Sequence, residues 1–374
     1  MIINSFLDSS FFIIPVLLIF IVFIIRQFHS KPNNVEESMD SLHSFLNKYG
    51  HHLSHLIYLK DKNVFWAQDE KVLIMYRQIG RKRIVLGDPI GEEAHMKDAI
   101  KEFLKDCEKK KLTPVFYKIS KNHLHLYHEF GYQFLKLGEE AIVHVHDFTL
   151  KGKQWAKLRT RKNKFERKGF TIQIVQPPYS NYFLSQLKDI SDSWLSGRKE
   201  KSFSVGFFDE EYVSRFKIAL LYNPEGEIIA FATLPEINID GKKSIHIDLM
   251  RYKNNSPHGT MDVLFLEIFL WAKEKGYHYC SLGFAPLANV GDTPYAHLKE
   301  KMAKLLFMHN TFQYNFKGLK EYKGKFAPSW ESNYLAYKRS FLPMLILQII
   351  LLVNKKPKLK ASYQSFKTVN EKVG

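Results

Sequence analysis

The fifteen residues Phe11 to Ile25 (FFIIPVLLIFIVFII) contain no polar side chain, and this run limits what the chain can form more than any other stretch. Extended back to Phe6, it adds only Leu7, Asp8, Ser9 and Ser10. That gives roughly 20 residues, enough for a helix to cross a hydrocarbon core about 30 Å thick. A secretory signal would begin with basic residues and end at small ones, whereas here MIINSFLD leads in and Arg26-Gln27 follows. A buried core helix is rarely apolar on every face. Residues 1–30 are therefore expected to form an N-terminal transmembrane helix. Asp8 precedes the run and Arg26 and Lys31 follow it. A single pass with the globular part in the cytoplasm, at the cell membrane, is the expected topology.

Near the other end, Phe341 to Val353 (FLPMLILQIILLV) is too short to span comfortably. Lys338 and Arg339 precede it, and Lys355, Lys356, Lys358 and Lys360 follow. Such flanks suit an interfacial helix on anionic lipid, and an ordinary buried C-terminal helix fits the same pattern. Both readings of residues 341–374 stand open at this point.

The chain between is neither disordered nor fibrous, because 45% of all residues are hydrophobic and 14% aromatic. The 374 residues carry 55 Lys+Arg against 38 Asp+Glu, a formal charge of +17, spread along the chain. That balance favours polyanionic partners, nucleic acid or an anionic membrane, and serves solubility as well. Cys107 and Cys280 stand far apart, which excludes a disulfide scaffold and fits a reducing compartment. No HExxH or similar histidine spacing, GxSxG elbow or P-loop occurs, so neither a metal nor a cofactor is expected.

Residues 31–50 read as a linker, polar from Gln27 to Glu37, and two successive α/β units follow, 51–150 and 151–340. In the first, VLIMYRQI and RIVLGDPI are strand-like around Gly80, Asp98 to Lys110 is an amphipathic helix, and PVFYKI is a buried strand. A short helix ending at Phe130-Gly131 and the strand AIVHVHDF close that unit. The second repeats the rhythm: a basic helix from Trp155, the strand FTIQIV, a helix from Tyr182 to Leu195, and strands IIAFATLPEI and SIHIDLMRY. A helix from Met261 to Lys275, the strand HYCSLGFA and a helix from Tyr295 to Met308 follow. The order points to an α/β (α+β) fold built from a duplicated unit.

Four stretches carry candidate chemistry. The strand IHIDLMRY, the loop KNNSPHG and a helix from Thr260 form a strand–loop–helix layout able to hold an anion on backbone amides, although Gly259 is its one loop glycine. Asp248 and Arg251 sit at its mouth, where a carboxylate and a guanidinium could orient an amine and an ester or phosphate, or serve as a structural pair. As alternating strand residues the two should not touch. On the helix from Trp155, Lys157, Arg161, Lys164 and Lys168 form one cationic stripe able to follow a phosphate backbone. Glu139 and Glu140, after Gly138, could hold a cationic group. Lysines such as Lys325 alternate with aromatics in YNFKGLKEYKGKFAPSWESNYLAYK, a pattern suited to stacking and phosphate contact. Glu139, Glu140, Gly259, Thr260 and Lys325 are the candidate substrate-binding positions.

At these residues the chain resembles the C-terminal cytoplasmic domain of the phosphatidylglycerol lysyltransferases, or multiple peptide resistance factors. The matching segments include IMYRQIGRKRIVLGDPIG, LKLGEEAIV, LRTRKNKFERKGF, EKSFSVGFF, IHIDLMRY, HGTMDVLF, LGFAPL and YNFKGLKEYKGKFAPSWE, in order over about Phe65 to Ala336. The resemblance implies tandem GNAT-like domains and transfer of an amino acid from aminoacyl-tRNA to phosphatidylglycerol at an anionic membrane. It implies tRNA binding by Lys157, Arg161, Lys164 and Lys168, and places Asp248 and Arg251 in the active site. Lysine is the first expectation for the amino acid, with alanine and arginine open. Full-length relatives carry a multi-helix membrane domain that flips the lipid; with one span here, synthesis is implied and flipping is not. A peptidoglycan-bridge-type aminoacyl transferase and a non-catalytic tRNA- or lipid-binding protein are the rival readings.

Overall fold

Two strands predicted as straight runs are each broken in the computed structural model, and the break shapes the molecule. The structure describes residues 39–239, 241–308, 316–338 and 340–355. The N-terminal apolar run lies outside them. Among the described residues no helix is long and apolar enough to cross a membrane.

The first half runs α1 (Met39–Tyr49), a 3-10 turn (Ser54–Leu59), β1 (Asn63–Ala67), β2 (Val72–Ile79), β3 (Lys82–Leu86), β4 (Ile90–Gly91), α2 (Glu93–Lys109), β5 (Thr113–Ser120), α3 (Leu124–Glu129) and β6 (Gln133–His144). The amphipathic spacing of α2 buries Met96, Ala99, Ile100, Phe103 and Cys107. This face packs on Phe65, Val72 and Phe116 and makes α2 the crossover that leaves β3 and β5 parallel.

The second half runs α4 (Ala156–Arg167), β7 (Thr171–Val175), α5 (Asn181–Leu195), α6 (Glu210–Val213), β8 (Lys217–Tyr222), β9 (Ile228–Leu234), β10 (Glu236–Ile239), β11 (Lys242–His246), β12 (Met250–Tyr252), α7 (Thr260–Glu274), β13 (Tyr279–Pro286), α8 (Leu298–Met308), α9 (Phe316–Gly324), β14 (Ser329–Tyr337) and α10 (Leu342–Asn354). Helix α7 is buried on nearly every face, from Thr260 to Ala272, because its core includes residues of both sheets.

IIAFATLPEI splits into β9 and β10 at Pro235, which has no N–H to give a ladder. SIHIDLMRY splits into β11 and β12 across residues 247–249. The outer arms β9 and β12 pair in a four-stranded sheet, while β10 and β11 pair in a ten-stranded one. The arms stay bonded through the break: His246 N–H donates to Pro235 O at 2.9 Å, and Thr233 N–H to Leu249 O at 3.0 Å.

The larger sheet runs β1-β2-β3-β5-β14-β6-β13-β11-β10, with β4 beside β2. Its middle strand, β14, has no clear strand pattern in the sequence, because lysines and aromatics dominate the stretch around it. It pairs antiparallel with both β5 and β6, so the sheet is continuous across residue 150. Helix α10 buries Leu345, Ile349 and Leu352 in the core of the first strands, each contributing about 1.5–3 kcal/mol, and leaves Leu347 and Ile350 exposed, as is Phe341 just before it.

Candidate active site

Asp248 occupies the crossing between the two sheets, with its side chain 7% exposed. Tyr212 of α6 donates to its Oδ2 at 2.6 Å, and His55 Nε2, from the 3-10 turn, stands 3.5 Å from Oδ1. Burial alone would raise this carboxyl, but His55, then His246 and Tyr212, outweigh it and hold the group at about 2. The loop between α5 and α6 closes over it. Phe203 N–H in this loop donates to Asp61 at 2.8 Å, and Gly206 presses on the Asp248 carboxylate.

A second carboxylate lies further along the same polar string. Glu140 on β6 accepts from Ser281 Oγ, and its other oxygen is 2.9 Å from His52 Nε2. Ser281 Oγ lies 2.9 Å from His246 Nδ1, and the His246 ring centroid is 5.0 Å from that of His55. Burial opposes ionisation of Glu140, yet His52, His246 and Ser281 hold it well below the usual carboxylate range. Burial, reinforced by His55, pushes His246 down to about 3, so its ring is neutral at pH 7.

Two lysines complete the buried polar cluster. Lys118 of β5 donates to Ser204 O at 3.3 Å, and Lys323 of α9 donates to Phe284 O at 2.9 Å. Both are buried, and burial pushes them down to about 8 and about 7 respectively, with Glu140 pulling each back up. A Cβ on Gly283 would lie 3.5 Å from His246 Cε1 and 3.6 Å from Lys323 Nζ, so this glycine borders both groups. The arrangement joins two ionised carboxylates, neutral imidazole and two easily neutralised amines inside an apolar shell. Groups so tuned can shuttle protons and stabilise developing charge.

The anticipated residues are distributed unevenly around it. Arg251 does not bond Asp248. It sits on β12, over the Trp194 ring with its guanidinium carbon 4.0 Å from the centroid, and donates to Glu200 at 3.1 Å. Glu139 turns away from Glu140, as strand alternation requires, and is bonded by Lys136, Asn289 and Ser332. Gly259 caps α7 with φ +96°, and Arg161 lies against it while pairing with Asp262 in the first helical turn. A carboxylate therefore already complements that helix N-terminus. Thr260 Oγ1 donates to Pro257 O at 2.7 Å. Of the cationic stripe, Lys157, Lys164 and Lys168 are exposed and Arg161 is the paired member. Lys325, 4.0 Å from Asp262, lines an open groove of about 570 Å³ with Gln154 and Trp155.

No motif in the sequence marks His52, His55, Lys118, Tyr212, His246, Ser281 or Lys323. The available signal is a polar residue interrupting an apolar run, as Lys118 does in PVFYKI and His246 in SIHIDL. His55, His246 and Asp248 also bring one ligand atom each within 4.8 Å of one another, a set able to hold a metal ion. Residue spacing gives no hint of it, because the three come from two distant segments.

A mixed α/β fold closed around paired acids and buried lysines defines the class of protein, and comparison with known chains defines the family. Residues 43–337 match the model described as phosphatidylglycerol lysyltransferase, C-terminal, and the chain belongs to that family. It is 41% identical over 349 residues to the phosphatidylglycerol lysyltransferase of Bacillus subtilis (strain 168), covering 92% of this chain and 40% of that one. Against the phosphatidylglycerol lysyltransferase of Staphylococcus xylosus it is 37% identical over 331 residues, covering 88% of this chain and 39% of that one. The chain thus spans about two-fifths of the length of these curated relatives. The solved structure of L-PGS from Bacillus licheniformis is 41% identical with a TM-score of 0.76, covering 87% of this chain and all of that one.

Proposed function

We propose that this chain transfers an amino acid, lysine first among the candidates, from aminoacyl-tRNA to phosphatidylglycerol. The observation that carries the reading is the cluster of buried side chains Asp248, Glu140, Lys118 and Lys323 in a chain of this family. The reaction exchanges one ester for another, so it needs no ATP once the tRNA is charged. The chain's work is then to exclude water, orient two substrates and steady the tetrahedral oxyanion.

In this reading Asp248 and Glu140 hold positive charge on the donor's amino groups or orient the groups that move the hydroxyl proton. Lys118 and Lys323 face the developing negative charge, and Arg251, stacked on Trp194, orients a phosphate or carbonyl oxygen. Lys157, Lys164 and Lys168 take tRNA phosphates. The groove with Trp155 and Lys325 on its walls offers an aromatic face and a cation to the nucleic-acid end of the donor. The wider architecture proposed is a tandem of GNAT-like units, 51–150 and 151–340, on an N-terminal anchor, working at the cytoplasmic side of an anionic membrane.

The test is transfer itself. Purified protein with charged lysyl-, alanyl- or arginyl-tRNA and phosphatidylglycerol in liposomes or mixed micelles should yield an aminoacylated lipid. The yield should vanish with ribonuclease and persist without ATP. Transfer from an acyl-coenzyme A donor, with none from any charged tRNA, would replace this reading with that of an ordinary acyltransferase. A modified wall peptide in expressing cells, without a new cationic lipid, would favour the peptidoglycan-bridge reading.

A further inference from the structure

His55 is 4% exposed, and neither Nδ1 nor Nε2 of its ring has a hydrogen-bond partner among the described residues. A buried imidazole nitrogen without a partner needs a reason, since such groups are nearly always satisfied by protein, water, ion or ligand. The two nitrogens differ in their charged surroundings, since only Nε2 stands at ion-pair distance from a carboxylate. Nε2 faces Asp248 Oδ1 at 3.5 Å, the carboxylate's second oxygen is taken by Tyr212, and the ring edge meets Phe216 at 6.2 Å between centroids. A carboxylate opposite Nε2 favours the proton there and leaves a lone pair on Nδ1. His246 and Tyr212 are titratable groups around the pair, with Glu140 and His52 beyond, and Lys62, Lys118 and Arg251 feel the Asp248 charge as well.

We propose that His55 is the general base of the transfer, with Asp248 as the residue that orients it and stabilises its cationic form. This rests on the aminoacyl-transfer reading above. The hydroxyl O–H of the phosphatidylglycerol glycerol breaks as its oxygen bonds the aminoacyl carbonyl carbon, and the proton moves to Nδ1. The tetrahedral centre then expels the ribose oxygen of the donor, which takes that same proton back from His55. One ester bond forms, one breaks, and nothing is oxidised or reduced. Asp248 meets the imidazolium between the two steps, which gives this buried carboxylate a role without any direct contact with substrate. Standing between the two sheets, Asp248 can reach a residue from the distant 3-10 turn.

The test begins from wild-type protein shown to transfer an amino acid; absence of that activity sinks the function, not this assignment. His55→Gln should then lower kcat by about 10²–10⁴-fold while leaving KM for charged tRNA and for lipid near wild type. His55→Ala should regain part of its rate when imidazole is added, and should lose the limb of the pH–rate profile that reports the base. If His55→Gln melts early, the imidazole response of His55→Ala decides alone. Wild-type kcat in His55→Gln overturns the proposal, as does a loss that follows tRNA affinity with no imidazole rescue. A third result also overturns it: wild-type activity abolished by a chelator and restored by Zn²⁺, which would make His55, His246 and Asp248 a metal-ligand set instead.

Discussion

Gly206 lies directly against the carboxylate of Asp248, and a methyl group on its Cα would stand 2.7 Å from Asp248 Cγ. The φ angle at this glycine is not in the left-handed region, so the requirement is for space rather than for backbone freedom. Gly206→Ala must push the loop or the carboxylate aside. It should destabilise the fold by about 1–3 kcal/mol, the usual range for overpacking, and reduce transfer by more than that loss of folded protein explains. Thermal melting and kcat measured on the same sample separate the two effects.

Asp248→Ala and Arg251→Ala should each lower turnover by about 10²-fold or more with the protein still folded. Arg251→Lys should recover little. A lysine keeps the charge opposite Glu200 but cannot lay a planar guanidinium on Trp194. Near-wild-type kcat in both alanine variants would remove these residues from the chemistry.

Lys323 predicts a pH dependence of stability whose sign is fixed. Its amine titrates at about 7 in the folded chain, chiefly through burial, against an ordinary value of 10.5. Below about pH 7 both states hold the proton and the full penalty of burying an ammonium applies. Between about 7 and 10.5 the unfolded chain holds one proton more, so stability rises with pH across that window. Lys323→Met should flatten that rise. Urea midpoints measured on either side of neutrality, near pH 7 and near the upper end of the window, check it. Equal slopes in the two proteins would mean the ammonium is solvated.

The basic helix divides into two kinds of residue. Reversing the charge of Lys157 or Lys164 should weaken tRNA binding and make its salt dependence shallower, by a slope of about one for each phosphate no longer neutralised. Arg161→Ala should instead act mainly on stability, since its partner Asp262 is buried at the start of α7 and would keep only Lys325, at 4.0 Å, as a cationic neighbour. Binding measured between about 50 and 200 mM salt, beside melting curves, distinguishes them.

Local periodicity reveals most elements here and little of the buried polar cluster. The spacing of Ile100, Phe103 and Cys107 marks a helix in any context, and PVFYKI marks a buried strand. What it cannot show is a long-range partner. Asp248 is legible as a candidate from the strand–loop–helix layout, yet its neighbours His55 and Tyr212 come from the 3-10 turn and α6, and no spacing rule joins them. The break at Pro235 is readable in principle, because a proline cannot give a central ladder its N–H. The matching break at residues 247–249 has no such mark and follows from pairing with the other arm. Glu139 and Glu140 illustrate the reverse case: adjacency suggests a shared role, while the two-residue repeat of a strand sends them to different partners.

The place of β14 has a consequence for how the chain can be made. The strand lies between β5 and β6, so residues 329–337 complete a sheet whose neighbouring strands end at residues 120 and 144. During synthesis β5 and β6 leave the ribosome long before the strand that belongs between them. Each then presents an unpaired edge to its surroundings, the kind of edge that recruits foreign strands. Joining β5 to β6 in one sheet therefore waits on the C-terminal region, whereas β1, β2, β3 and β5 pair without it. Pairings of such long sequence separation also make it slow. A chain interrupted anywhere before Ser329 loses the middle of its main sheet along with its end.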